Sequence, residues 1–210
     1  MLDLRDIHYQ PATGNHVVLR GINLKAYQGK PIIISGESGS GKTTLIEIIS
    51  GLIRPQKGVI TWQREPLTQR QRRWLCGVVF QFPERYFLGL TVGQELRLGH
   101  RKLSTKMQLE VLNKVGLTDI GLKLAPEKLS GGQQRRLALA TQLLRTPSIL
   151  ILDEPTAGLD WSVREEIVSL LKVISNEKLL IIMSHEKELF SKWSASTYKL
   201  VNGILEKQPK

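Results

Sequence analysis

The sequence predicts an α/β domain: a mixed, mainly parallel core sheet, an antiparallel β subdomain at the N-terminus and a helical subdomain inserted in the middle. Three observations carry this. The first thirty residues alternate apolar and polar side chains as half-buried strands do. Further on, apolar runs of strand length alternate with helical stretches, the pattern of a sheet covered on both faces. Between them, from about Phe82 to Pro126, helix signals occur without any strand-like run. With 210 residues, 41% of them hydrophobic, the chain can bury one good core. It reads as one domain over 1–210 with 82–126 as the insertion.

The elements follow in order. Leu2, Leu4 and Ile7, then Val17, Leu19, Ile22 and Leu24, give two antiparallel strands joined by a turn at Thr13-Gly14-Asn15. Ile32-Ile33-Ile34 is a β-branched run suited to a strand buried on both faces. A glycine-rich loop leads into a helix over Thr43 to Ser50, apolar at Leu45, Ile46, Ile48 and Ile49, with Gly51 closing it. Cys76-Gly77-Val78-Val79 is another buried strand. In the insertion, Thr91-Val92-Gly93-Gln94 and Thr105-Lys106-Met107-Gln108 have the capping-box spacing, and the second helix puts Met107, Val111, Leu112 and Val115 on one face. Helix over Gly131 to Arg145, strand over Ser148 to Leu152, helix over Asp160 to Ser175 and strand over Lys178 to Met183 come next. A short helix over Glu186 to Trp193 precedes a last hairpin turning at Asn202-Gly203.

Composition excludes some classes. The longest apolar runs, Ile149 to Leu152 and Leu179 to Met183, are far short of the roughly 20 residues that span a bilayer. The opening MLDLRDIHYQ carries acids and lacks the apolar centre of a secretory signal. The single cysteine, Cys76, excludes an internal disulfide and reads as a core thiol in a cytosolic protein. A net charge of +11 gathers at Arg70-Gln71-Arg72-Arg73, His100-Arg101-Lys102 and Arg135-Arg136. Charge alone does not choose between nucleic acid, an anionic membrane surface, nucleotide phosphates and a solvated surface without a partner.

Chemistry enters at Gly36-Glu37-Ser38-Gly39-Ser40-Gly41-Lys42-Thr43, which satisfies G-x-x-x-x-G-K-S/T between a β-branched strand and a helix. Glycines let backbone N–H groups converge on an oxyanion, and the helix N-terminus adds partial positive charge. Lys42 can reach the β- and γ-phosphates, and the Thr43 hydroxyl can ligate Mg2+; Thr44 completes the loop. Ile149 to Leu152 ends on Asp153 and Glu154, carboxylates suited to the Mg2+ shell and to positioning the attacking water respectively.

Leu129-Ser130-Gly131-Gly132-Gln133 then resembles the LSGGQ signature of ATP-binding-cassette (ABC) ATPases, and the resemblance covers nearly the whole chain in family order. Gly36 to Thr43 resembles the Walker A loop, Gln81 the Q-loop glutamine and Ile149 to Glu154 the Walker B strand with its catalytic glutamate. Ala157-Gly158-Leu159-Asp160 resembles the D-loop, and His185 the switch histidine. The resemblance implies ATP and Mg2+ as cofactors, with Thr43, Gln81 and Asp153 toward the metal and Glu154, His185 and Gln81 catalytic. It implies a head-to-tail dimer, homo- or heteromeric, in which Ser130, Gly131, Gly132 and Gln133 of one subunit meet the γ-phosphate held by the other, with Asp160 contacting across. The family's adenine-stacking aromatic is matched only nearby: Tyr9 is the candidate, since Pro11 occupies the aligned position. Trp161 replaces a common proline after the D-loop, and Trp62, Trp74 and Trp193 are expected to be packing residues.

FQFPE, LSGGQQRR and DEPTAGLD are similar to the ATPases of energy-coupling-factor importers for vitamins or transition-metal ions. This implies a peripheral location on the inner face of the cell membrane and an integral partner docked near Gln81 to Phe87, with no nucleic acid. A soluble non-transport role, in iron–sulfur assembly or with nucleic acid, is the alternative. Many members of the importer group run past the final hairpin, so a further C-terminal dimerisation segment is expected to be missing here.

Overall fold

The structure is a computed structural model describing residues 1–12, 14 and 16–209. Thr13 and Asn15 of the expected first turn lie outside the described residues. In chain order the strands are β1 (Leu2–Tyr9), β2 (Leu19–Ala26), β3 (Ile32–Ser35), β4 (Lys57–Trp62), β5 (Glu65–Pro66), β6 (Cys76–Val79), β7 (Ile149–Asp153), β8 (Leu179–Met183), β9 (Ser196–Val201) and β10 (Ile204–Lys207). The helices are α1 (Lys42–Ile49), α2 (Gln69–Leu75), α3 (Val92–Arg97), α4 (Thr105–Lys114), α5 (Gly131–Leu144) and α6 (Trp161–Glu177).

Two sheets result. One is antiparallel in the order β2-β1-β4-β5; the other runs β10-β9-β3-β8-β7-β6 and is parallel except for the β9–β10 hairpin. The mainly parallel core sheet and the antiparallel N-terminal sheet are as the sequence predicts. Each central strand is buried on both faces because its successive side chains go to different cores. Ile32, Ile34, Ile149, Ile151, Ile181 and Met183 pack with α1 and the antiparallel sheet. Ile33, Leu150, Leu152, Leu180 and Ile182 pack with α3 to α6. Burying each such side chain contributes roughly 1.5–3 kcal/mol, so register in these strands is strongly fixed. Cys76 is a buried thiol in the first of these cores, as expected.

Several local expectations are corrected. The cap of α4 is Ser104, one residue before Thr105; its hydroxyl accepts from the Met107 N–H at 3.2 Å. This shifts the buried face to Gln108, Val111, Leu112 and Val115, and Met107 is exposed. At α3, Thr91 caps Gln94 in one direction only. Glu186 to Trp193 yields a single 3-10 turn, Lys187–Phe190. β4, β5 and α2 lie in a stretch for which the sequence reading assigns nothing; α2 starts with a reciprocal Thr68–Gln71 box. Trp62 and Trp193 pack against the cores, but Trp74 is 71% exposed. Helix α2 buries only Arg72, so it offers Trp74 no apolar partner face.

Candidate functional site

Four parallel strands end on one edge, and each leads into candidate site residues, at the usual position of ligands in open α/β sheets. β3 runs into the phosphate loop, β6 into Gln81, β7 into Asp153-Glu154 and β8 into His185. The register aligns them: Ile34 pairs with Met183, Met183 with Asp153, and Val79 with Leu152. As a result Ser38, Gly39, Gly41, Lys42, Thr43, Thr44, Gln81, Asp153, Glu154 and His185 line one groove of 440 Å³.

The phosphate loop folds around its own lysine. Lys42 Nζ donates to the carbonyls of Gly36 at 2.6 Å and Glu37 at 3.0 Å, and the Ser40 N–H closes a turn on Glu37 O. Only glycine fits at position 36, where a Cβ would lie 2.6 Å from Leu200 O and 2.7 Å from Ser40 Oγ. Ser40 Oγ is buried without a hydrogen-bond partner. A second groove, of 670 Å³, lies along the same loop at Glu37 to Ser40 and is walled by His16, Val18 and the β9–β10 hairpin.

At the end of β7 the chain turns sharply. Glu154 has φ 47°, a left-handed conformation that costs a non-glycine residue roughly 1–3 kcal/mol. Its N–H donates to Met183 O at 2.9 Å, and its carbonyl accepts from Arg135 at 2.7 Å. The carboxylate is buried; Oε2 accepts from the His185 N–H at 3.2 Å, and Oε1 has no hydrogen-bond partner. His185 Nε2 stands 3.3 Å from that Oε1 and 3.4 Å from Lys42 Nζ. Lysine can only donate, so Nε2 without a proton accepts from Lys42, whereas Nε2–H faces Glu154. Burial raises the Asp153 pKa, helped by the Glu154 charge and opposed by Lys42 and His185.

Thr43, Gln81 and Asp153 bring a hydroxyl, an amide and a carboxylate to this groove. Oxygen donors in small number, completed by phosphate and water, are what Mg2+ accepts. Among the described residues no group of three or more His, Cys, Asp or Glu could hold a metal by itself. The donor set thus fits a Mg2+ shared with phosphate.

The remaining sequence candidates lie elsewhere. Ser130 caps α5 in a reciprocal box: its hydroxyl accepts from the Gln133 N–H at 3.3 Å, and its N–H donates to Gln133 Oε1 at 2.9 Å. Ser130, Gly132 and Gln133 line a separate hollow of 270 Å³ and not the phosphate groove. Gly132 is required by packing, since a Cβ there would meet Val163 Cγ1 at 2.5 Å. Gly131 has room for a Cβ. Asp160 precedes α6, is exposed and makes no side-chain cap bond. Tyr9 packs against the core below the antiparallel sheet and lines neither groove along the phosphate loop.

Beyond Gln81, Phe87 packs into the helical core, while Tyr86 is exposed and stacks on Phe80 at 5.3 Å. Arg85 sits over the Phe82 ring at 4.6 Å. The most exposed apolar residues are Leu88 and Leu90, each 80%. Glu95 is buried beneath them and accepts from the N–H groups of Leu88 at 2.8 Å and Gly89 at 2.7 Å.

Residues that the motifs do not single out complete the arrangement. Arg135, read from sequence as part of a basic surface, is only 8% exposed and donates to the carbonyls of Glu154 and Ala157. Burial lowers its pKa, with Glu84 and Glu154 opposing. Arg136 is paired with Glu166, and Arg72 and Arg73 bind the carbonyls of Ile53 and Gly51. Much of the charge in two of the basic clusters therefore serves internal contacts.

Comparison with known proteins gives the family. The family model described as ABC transporter matches residues 19–157. The chain is 37% identical to ABC transporter I family member 11, chloroplastic, of Arabidopsis thaliana, over 97% of this chain and 80% of that protein. It is 33% identical to the energy-coupling factor transporter ATP-binding protein EcfA of Methanothermobacter thermautotrophicus, over 98% and 69%. Among solved structures, cbiO1 of Clostridium perfringens, part of the ABC transporter complex cbiONQ, superposes with TM-score 0.86 at 28% identity, covering 97% of this chain and 86% of that one. A dimeric ATP-binding cassette in a post-hydrolysis state with ADP and phosphate superposes with TM-score 0.81 at 27% identity, covering both chains fully. The chain belongs to the ABC transporter family as one of its ATP-hydrolysing subunits.

Proposed function

We propose that this subunit works as half of a head-to-tail pair, with an identical or homologous ATPase, and drives an importer of the energy-coupling-factor type for a vitamin or metal ion. The carrying observation is a division of labour. Lys42, Thr43, Gln81, Asp153, Glu154 and His185 share one groove, whereas the capped helix start at Ser130 lines another. Within one chain the second anion site has no phosphate loop to face, so a second subunit supplies it. The exposed Asp160 and Trp161, the latter 64% exposed, suit contact with that subunit.

In this reading Lys42 and the loop N–H groups hold the β- and γ-phosphates, and Thr44 contacts the phosphates further along α1. Gly36, Glu37, Ser38, Gly39, Ser40 and Gly41 shape the cradle. Thr43, Gln81 and Asp153 would hold Mg2+, which when bound offsets charge on the phosphate oxygens. Glu154 takes a proton from the attacking water, its free Oε1 being the available acceptor, and His185 contacts the γ-phosphate. Tyr9 stays a proposed adenine contact only if the base reaches past the groove walls; Val18, which lines both grooves, is the better placed wall.

Residues 82–126 act as the helical subdomain, hinged at Gln81. The integral partner docks on the surface from Gln81 to Leu90, where Tyr86, Leu88 and Leu90 offer an apolar face. In this reading the membrane attachment comes from that partner; no helix among the described residues is long and apolar enough to cross a membrane. Affinity purification from membranes of the source organism tests the reading. Co-purifying integral proteins, lost when Leu88 and Leu90 are replaced by serine, are the expected result. ATPase stimulation by DNA or RNA with no membrane protein attached would contradict it.

A further inference from the structure

We infer that Glu186 is a positioning residue: it ties the turn carrying His185 to the loop from Glu154 to Asp160, so that the two shift together. The inference rests on the ATPase reading above and concerns how its site is kept aligned.

The Glu186 carboxylate is divided between two partners. Oε2 accepts from Thr156 Oγ1 at 2.9 Å, and Oε1 is paired with the Arg164 guanidinium. Thr156 is wholly buried in the middle of the loop, where an unpaired hydroxyl would be costly, and Glu186 is its partner. Arg164 uses its Nε to hold Leu159 O at 2.6 Å, in the fork geometry that suits guanidinium. From the opposite side Arg135 of α5 holds the carbonyls of Glu154 and Ala157. The carbonyls of residues 154, 157 and 159 are thus gripped by two arginines, and Glu186 joins one grip to the histidine turn.

That turn is itself anchored to the phosphate-loop strand. The Glu186 N–H donates to Ser184 Oγ at 3.1 Å, and the Ser184 N–H donates to Ile34 O of β3 at 3.0 Å. A continuous path runs from β3 through Ser184 and Glu186 to Thr156 and Arg164, and Arg164 bonds both the Leu159 carbonyl through its Nε and the Asp160 carbonyl through its backbone N–H.

 Movement of His185 is thereby passed to Asp160, and the imidazole is kept within reach of Glu154 Oε1, which it faces at 3.3 Å.

The test compares Glu186→Gln, Thr156→Val and the double variant with the wild type. Glu186→Gln keeps size and removes charge; Thr156→Val keeps shape and removes the hydroxyl. The expected result is an ATP Kd within about twofold of wild type and a KM that is unchanged. kcat falls about tenfold or more, as misplacement of aligned groups does. The double variant should be no worse than the weaker single one, because both cut the same tie. Amide hydrogen exchange over residues 155–160 should accelerate in each variant while β7 stays protected. Unchanged kcat and exchange, additive losses, or an ATP Kd that rises in step with the fall in kcat would overturn the inference. If the wild type itself fails to hydrolyse ATP, the proposed function fails, while the exchange measurement still reads whether the tie exists.

Discussion

Glu154 and His185 meet at two points: the His185 N–H donates to Glu154 Oε2 at 3.2 Å, and His185 Nε2 stands 3.3 Å from Glu154 Oε1. The carboxylate is thus held by the neighbouring strand end, with its second oxygen left free of hydrogen bonds. Glu154→Gln keeps the shape and loses the base. Phosphate release should drop by about 10²- to 10⁴-fold, the usual contribution of a positioned base, with ATP still bound. Steady-state turnover and nucleotide retention measure both; wild-type turnover would remove Glu154 from its role.

Lys42 is bonded to the carbonyls of Gly36 and Glu37, so its ammonium is fixed at the mouth of the loop. Lys42→Ala should weaken ATP binding by about a hundredfold, or ~3 kcal/mol, the scale of hydrogen bonds to a charged group. Titration calorimetry checks this, and an unchanged Kd would exclude Lys42 from phosphate binding.

Asp153 gives a pH dependence whose sign follows from its raised pKa. The folded chain holds this proton more tightly than the unfolded chain, whose value is near 3.8. Stability therefore falls as pH rises from that value through the folded pKa, and the penalty remains in full above it. Asp153→Asn should raise Tm at neutral pH, lose that advantage as pH falls toward the unfolded value, and abolish Mg2+-dependent hydrolysis. Thermal melts across pH, with an ATPase assay, provide the check.

Much of the site is legible in the sequence because its residues are contiguous: Gly36 to Thr43, Leu129 to Gln133 and Asp153-Glu154 each carry their chemistry within a few positions. The cap of α5 is local in the same way, since Ser130 and Gln133 lie three residues apart. What escapes is long-range. Arg135 belongs by composition to a basic run, and only the fold brings Glu154 O, 19 residues on, to its guanidinium. Thr156 and Glu186 meet across 30 residues with no pattern announcing it. Trp74 fails for the converse reason: a large aromatic suggests packing, yet its helix turns Arg72 inward instead. At α4 the local pattern points to Thr105 with Gln108, but Gln108 is buried in the fold and Ser104 takes the cap.

Cys76 is held at 3% exposure, and burial pushes its thiol up to about 12. The thiolate is the reactive form, so the native chain should resist alkylation at pH 8 and react only as it unfolds. Labelling with a thiol reagent along a urea titration should track the unfolding curve. Rapid labelling of the native protein would contradict the buried placement.

The paired arrangement is tested most directly by the molar mass of Glu154→Gln in solution, measured by light scattering with and without ATP and Mg2+. The chain is 23.7 kDa. The expected result is a doubling of mass on adding ATP, abolished when Ser130→Arg is introduced into the same variant while ATP remains bound. A mass that stays at the single-chain value with ATP bound, or a doubling that survives Ser130→Arg, would contradict the shared site.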